Sequence, residues 1–140
     1  MARKMTNYEM VQILNNLKLF ENKKLPQKIS YAIVKNIMAL TKEYDVYIKQ
    51  LEKLINEAKQ EDKLELTEDG NIIETENHLP KIKSEYAEEF SSDLEDLLLF
   101  HLDINYTYLD ENVFDYDETD RYDVLSPVEV FTLRNCLCEN

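Results

Sequence analysis

The stretch that decides the fold runs from Pro26 to Gln60, PQKISYAIVKNIMALTKEYDVYIKQLEKLINEAKQ. Within it Ile29, Ile33, Ile37, Leu40, Tyr44, Tyr47 or Ile48, Leu51, Leu54 and Ala58 recur every three or four residues. That spacing lines side chains along one face of an α-helix. No glycine interrupts the run, and its one proline stands first, where a missing N–H costs nothing. The pattern predicts one long helix over about 26–60, roughly 50 Å at about 1.5 Å per residue. Tyr31, Val34 and Met38 widen the apolar arc of its first half, so that half is expected to be buried most deeply. Its second half carries a narrow stripe flanked by Lys and Glu, as in a two-helix seam.

On the N-terminal side, Thr6-Asn7-Tyr8-Glu9 reads as a capping box. Met10, Ile13, Leu14 and Leu17 follow at helical spacing and predict a short helix over about 7–19. Met1–Tyr8 is also a candidate short strand. On the C-terminal side, Leu64-Glu65-Leu66 and Ile72-Ile73 flank Asp69-Gly70, a turn dipeptide that fits a small hairpin or an exposed loop. Pro80 then suits the opening of a second helix over about 80–95, with Leu79, Ile82, Tyr86, Phe90 and Leu94 on one face. This helix is expected to pack antiparallel on the long one.

The period changes at Phe100. Phe100, Leu102, Ile104, Tyr106 and Tyr108 alternate with His101, Asp103, Asn105 and Thr107, which predicts a strand over about 99–107 with one buried face. A strand needs a partner. The N-terminal segment is preferred over the 64–75 hairpin and over Val113–Tyr116. Finally, Ser126-Pro127-Val128-Glu129 combines a cap, a first-turn proline and a capping-box Glu. Val130, Phe131, Leu133 and Leu137 complete a closing helix over about 127–137. The fold class is α+β, mainly α: a long helix paired with a second, a small sheet and a short C-terminal helix, in a single domain over 1–140.

Composition narrows the function. Hydrophobic residues make up 44% of the 140, enough for a core. There is no apolar run long enough for a transmembrane helix, and no apolar signal core follows Met1-Ala2-Arg3-Lys4. Gly70 is the only glycine, which argues against phosphate-cradling loops, dinucleotide-binding turns and nucleophile elbows. The two cysteines, Cys136 and Cys138, supply half a zinc site with no histidine nearby, and read as ordinary thiols in a reducing cytosol. His78 and His101 read as structural or exposed histidines. Ser91 and Ser92 lack a nucleophile's setting. The expectation is a protein that is not an enzyme and that uses no cofactor and no metal.

The formal net charge of −13 is segregated. Residues 1–42 hold eight basic residues against two acidic ones, whereas residues 85–123 hold fourteen acidic residues against Arg121 alone. The densest part runs from Asp110 to Asp123. An EF-hand reading of Asp115, Asp117 and Thr119 fails, because Asp120 stands where glycine is needed and Ser126 where a bidentate Glu is needed. Seven carboxylates here, Asp110, Glu111, Asp115, Asp117, Glu118, Asp120 and Asp123, are interleaved with Phe114, Tyr116 and Tyr122. Carboxylates on a rigid scaffold can imitate phosphates in a basic groove while aromatics anchor the contact. The alternative is a solvated loop that keeps the chain dispersed. So dense a negative charge disfavours direct contact with nucleic acid.

Several segments together carry a resemblance. They are Leu25-Pro26-Gln27-Lys28-Ile29-Ser30-Tyr31-Ala32-Ile33-Val34-Lys35-Asn36 with the long helix, Asp69-Gly70-Asn71, Phe90–Leu99 and Leu125-Ser126-Pro127-Val128-Glu129. In this order they resemble a family of small proteins of unknown function from tailed phages and prophages of low-GC Gram-positive bacteria. The segment 106–123 is longer, more acidic and more aromatic than that family leads one to expect. The resemblance implies a phage setting, and so action in the cytoplasm of a bacterial host. It brings no catalytic residues. The expected function is a phage accessory protein that binds a protein partner, inhibiting a host nucleic-acid-handling or defence protein through the acidic face, with no membrane contact. The alternative is a structural or tail-assembly protein that self-associates through helix 26–60. Either a monomer or a homodimer is compatible with the sequence.

Overall fold

Thr6 ends the first strand and opens the first helix. The computed structural model describes residues 2–116 and 121–139. The elements run β1 (Ala2–Thr6), α1 (Asn7–Lys18), α2 (Gln27–Gln60), α3 (Ala87–Leu98), β2 (His101–Asn105) and α4 (Pro127–Leu137), with short 3₁₀ turns at Ser84–Tyr86 and Glu111–Phe114. The chain forms two compact units, one of residues 1–44 and 101–140, the other of residues 45–100. The long helix contributes to both.

In the first unit, both readings of the N-terminus hold, because Thr6 lies at the junction. The Glu9 backbone N–H donates to the Thr6 hydroxyl at 3.2 Å, and the Thr6 N–H donates back to the Glu9 carboxylate at 3.4 Å. The box satisfies amides that the first turn otherwise leaves unpaired. Met10, Ile13, Leu14 and Leu17 then fill the core from one face of α1. β1 pairs antiparallel with β2, Met5 opposite Leu102 and Arg3 opposite Ile104. The N-terminal segment is therefore the partner of the period-two strand, and Met5 and Ile104 point from it into the core. The closing helix α4 has the same device, with Ser126 and Glu129 exchanging bonds at 3.2 and 3.0 Å. Leu133, Cys136 and Leu137 are its buried residues.

β2 ends at Asn105, earlier than the alternation suggests, because another group takes over the pairing. Asn36 is fully buried on α2. Its side-chain Nδ2 donates to the Thr107 carbonyl at 2.9 Å, and its Oδ1 accepts from the Thr107 N–H at 2.8 Å. The amide thus completes the hydrogen bonding of a strand residue from the side of a helix. One step earlier, the Tyr106 hydroxyl donates to the Cys136 carbonyl, which the Arg3 guanidinium also reaches at 2.8 Å. That guanidinium lies 4.9 Å from the Tyr106 ring centre. Burial of the Tyr106 hydroxyl, only partly offset by Arg3, holds it well above the ordinary tyrosine range.

The first half of α2 departs from expectation. Ile29, Ala32, Ile33, Asn36 and Leu40 are buried, but Tyr31, Val34 and Met38 are 65%, 47% and 63% exposed. The buried set already fills the arc that a helix can turn towards one core, and residues 31, 34 and 38 fall on the opposite side.

In the second unit, the chain turns back after α2 through Asp62, at positive φ, with the Lys63 N–H donating to the Ala58 carbonyl. The bridge Leu66↔Ile72 flanks the turn at Gly70, whose φ of +81° suits glycine, Glu74↔Pro80 flanks a second turn through His78, and Leu64 pairs with Ile82. Pro80 does not open the second helix. Its neighbours commit their backbone to pairing, with Lys81 N–H on the Ile73 carbonyl and Lys83 N–H on the Lys63 carbonyl. The helix therefore begins after Ser84–Tyr86 and extends to Leu98. A cavity of about 140 Å³ is lined by Leu54 and Ala58 of α2, by Glu61 just beyond it, and by Phe90 and Asp93 of α3, so the two helices face each other as a hairpin. Lys63 joins them, 2.7 Å from Glu61 and 3.2 Å from Glu89.

Candidate partner-binding surface

The acidic stretch is built onto the first unit at several points. At its start the Leu109 N–H donates to the Leu137 carbonyl, and Leu109 bridges in parallel to Cys138. The chain then makes a 3₁₀ turn over Glu111–Phe114, with Val113 N–H on the Asp110 carbonyl and Asp115 N–H on the Asn112 carbonyl. Phe114 is the inward residue of this turn, 9% exposed, and the Arg134 guanidinium lies 5.9 Å from its ring centre. It therefore anchors the stretch to the core rather than standing out as a contact residue.

Around it Asp110, Glu111 and Asp115 are held outward and exposed. Tyr116 and Tyr122 are half-buried and meet edge to face at 5.7 Å, with Arg121 5.4 Å from the Tyr122 ring centre. At the far end Asp123 makes a two-way bond with Lys24. The Lys24 N–H donates to the Asp123 carboxylate at 2.7 Å, and the Asp123 N–H donates to the Lys24 carbonyl at 2.7 Å. Asp117, Glu118 and Asp120 lie outside the described residues. The described part of the stretch is thus fixed at Leu109, Phe114 and Asp123 while presenting carboxylates to solvent.

The cysteines lie in and just after α4 and are buried. Burial pushes the Cys136 thiol up, with Arg3 working against it. Burial also raises Cys138, and the nearby Glu111 carboxylate adds to the effect. Neither is a ready thiolate. Among the described residues no three of His, Cys, Asp or Glu gather in a metal-holding group. His101 is exposed on β2, and His78 is exposed at positive φ. No described helix is long and apolar enough to cross a membrane.

A second surface lies on residues of α2 that the sequence pattern assigns to the core. Residues 22–42 contain no Asp or Glu. Lys28, Lys35 and Lys42, seven apart, are exposed along α2 beside the outward Tyr31, Val34 and Met38. The seven-residue spacing is legible in the sequence. That it faces outward is not, because apolar side chains there imitate a core face. No family model, no curated protein and no solved structure matches the chain.

Proposed function

We propose that this chain is a phage accessory protein that acts in the host cytoplasm by binding a protein, not by catalysis, and that its acidic face occupies the basic groove of a host nucleic-acid-handling or defence protein. The observation that carries this reading is the anchoring of the acidic stretch. With Leu109, Phe114 and Asp123 tied to the scaffold, Asp110, Glu111 and Asp115 are presented from a fixed backbone. Carboxylates so held pay less ordering entropy on binding than those of a floppy tail. They can meet the lysines and arginines that a groove otherwise offers to phosphates. The half-buried Tyr116 and Tyr122 add apolar contact beside them.

The test is affinity capture from a Gram-positive host lysate at low and at high salt, read by mass spectrometry. The expected result is one nucleic-acid-binding protein whose recovery falls as salt rises. Recovery of virion proteins alone, insensitive to salt, counts against it. A second reading, assembly by self-association through α2, is favoured by one observation: Tyr31, Val34 and Met38 face solvent on that helix.

A further inference from the structure

The outward face of α2 combines three features in a chain with 29 acidic residues. It has no acidic side chain between Asn22 and Lys42. Lys28, Lys35 and Lys42 line it at intervals of one heptad. Between them Tyr31 and Met38 are almost two-thirds exposed, and the Lys35 ammonium lies 5.8 Å from the Tyr31 ring centre.

The N-terminal end of this basic row already meets acidic groups of its own chain. Lys23 pairs with Glu129 at 3.3 Å, Lys24 is bonded through its backbone to Asp123, and Lys28 lines a cavity with Asp110, Glu111 and Glu139. Further along the helix, Lys35 and Lys42 have no carboxylate at ion-pair distance among the described residues. On the acidic side, Asp110, Glu111 and Asp115 likewise have no cation at that distance among the described residues. The first unit therefore carries two complementary surfaces, each with charges left over.

We infer that the basic, apolar face of α2 binds the acidic stretch of a second copy of this chain, so that copies associate head to tail. The inference rests on the self-association reading and names its interface. A symmetric pairing of two α2 faces is disfavoured, because it sets the lysine rows of both helices against each other. Nucleic acid is disfavoured as occupant, because Tyr31, Val34 and Met38 do nothing for a phosphate backbone and the chain as a whole carries −13. The acidic stretch of a second copy brings carboxylates for Lys35 and Lys42, with Tyr116 and Tyr122 for the apolar strip. Because the two surfaces differ, the contact is heterologous and an associated pair leaves one free surface at each end. Three exposed apolar side chains fall well short of the roughly 800 Å² per partner of a stable interface. The association is therefore weak, reversible and salt-sensitive. It also competes with any host protein for the same carboxylates.

Two exposed-surface variants of the full chain test this by sedimentation and light scattering. One carries Lys35→Glu with Met38→Glu, the other Asp110→Asn with Glu111→Gln and Asp115→Asn. The wild-type mass is expected to rise with concentration above 16.7 kDa and to fall back in high salt. Each variant alone is expected to remain monomeric. An equimolar mixture, in which one intact surface of each kind survives, is expected to give a doubled mass and nothing larger. The mixture also shows that both variants are folded. If the acidic-face variant associates as well as wild type while the Lys35/Met38 variant does not, pairing is symmetric, and the head-to-tail interface is overturned while self-association stands. A wild type that stays monomeric throughout overturns both. A monomeric wild type that binds a fluorescent DNA duplex in a Lys35-dependent way identifies the face as a nucleic-acid surface instead.

Discussion

Replacing Asn36 by Ala removes both hydrogen bonds that join α2 to the end of β2. The bonds are 2.9 and 2.8 Å long, and Asn36 is wholly buried. Each contributes about 1 kcal/mol net, and stranding a buried N–H or C=O costs about 1–3 kcal/mol. Thr107 is half-buried, so water can satisfy part of what is lost. The expected destabilisation is about 3 kcal/mol. For a chain of this size that lowers Tm by roughly 10 °C. Thermal and urea melts followed by circular dichroism measure it, with Lys35→Ala, on the exposed side of the same helix, as a control expected within about 0.5 kcal/mol of wild type.

Asn36→Asp sharpens the test. It keeps the shape but removes the donor to the Thr107 carbonyl and buries a carboxylate, whose pKa rises in the folded state. A group with a raised folded-state pKa favours folding most when protonated. The deficit relative to wild type should therefore shrink below the ordinary aspartate range, near about pH 3.9, and widen as pH rises above it. Melting of Asn36→Ala within about 0.5 kcal/mol of wild type would refute the view that this amide fastens helix to strand.

Thr6→Ala and Ser126→Ala each remove one capping box and should each cost about 1 kcal/mol, additively, in the same melts; a combined loss near zero contradicts the cap geometry. Cys136 and Cys138, buried and with raised thiol pKa values, should resist a thiol reagent at neutral pH in the folded protein and react within mixing time in denaturant. Fast labelling of the native chain opposes this. Glu129 is held below the ordinary glutamate range by the Ser126 backbone N–H and then by Lys23. Its contribution is thus present at neutral pH and lost as pH falls through the acid range, and the carboxylate should titrate by NMR below the ordinary glutamate range. A midpoint within that range would remove the effect.

The parts of the fold that were legible in the sequence rest on local chemistry. Thr6 with Glu9, and Ser126 with Glu129, fix helix starts within four residues of chain, and the 29–58 periodicity fixes the long helix. The parts that were not legible rest on long-range competition. Pro80 signals a helix start, but pairing with Glu74 and its neighbours claims that backbone first. Asn36 looks like a polar interruption of an apolar face until Thr107, far along the chain, comes to meet it. Tyr31, Val34 and Met38 count as core by composition and lie outside by angle. Among the candidate site residues, Asp110, Glu111 and Asp115 are outward as an interface requires, whereas Phe114 serves the core. Alternation of acids and aromatics cannot distinguish those two fates, because which way a side chain turns in a 3₁₀ turn is set by the surrounding packing.

The most direct test of the partner-binding account compares wild type with a chain carrying Asp115→Asn, Asp117→Asn, Glu118→Gln and Asp120→Asn, both immobilised, for capture from the same host lysate. The account predicts that a nucleic-acid-binding protein is retained by wild type, is lost from the variant, and is released from wild type by salt or by added DNA. Equal retention by both chains, unmoved by DNA, would contradict it.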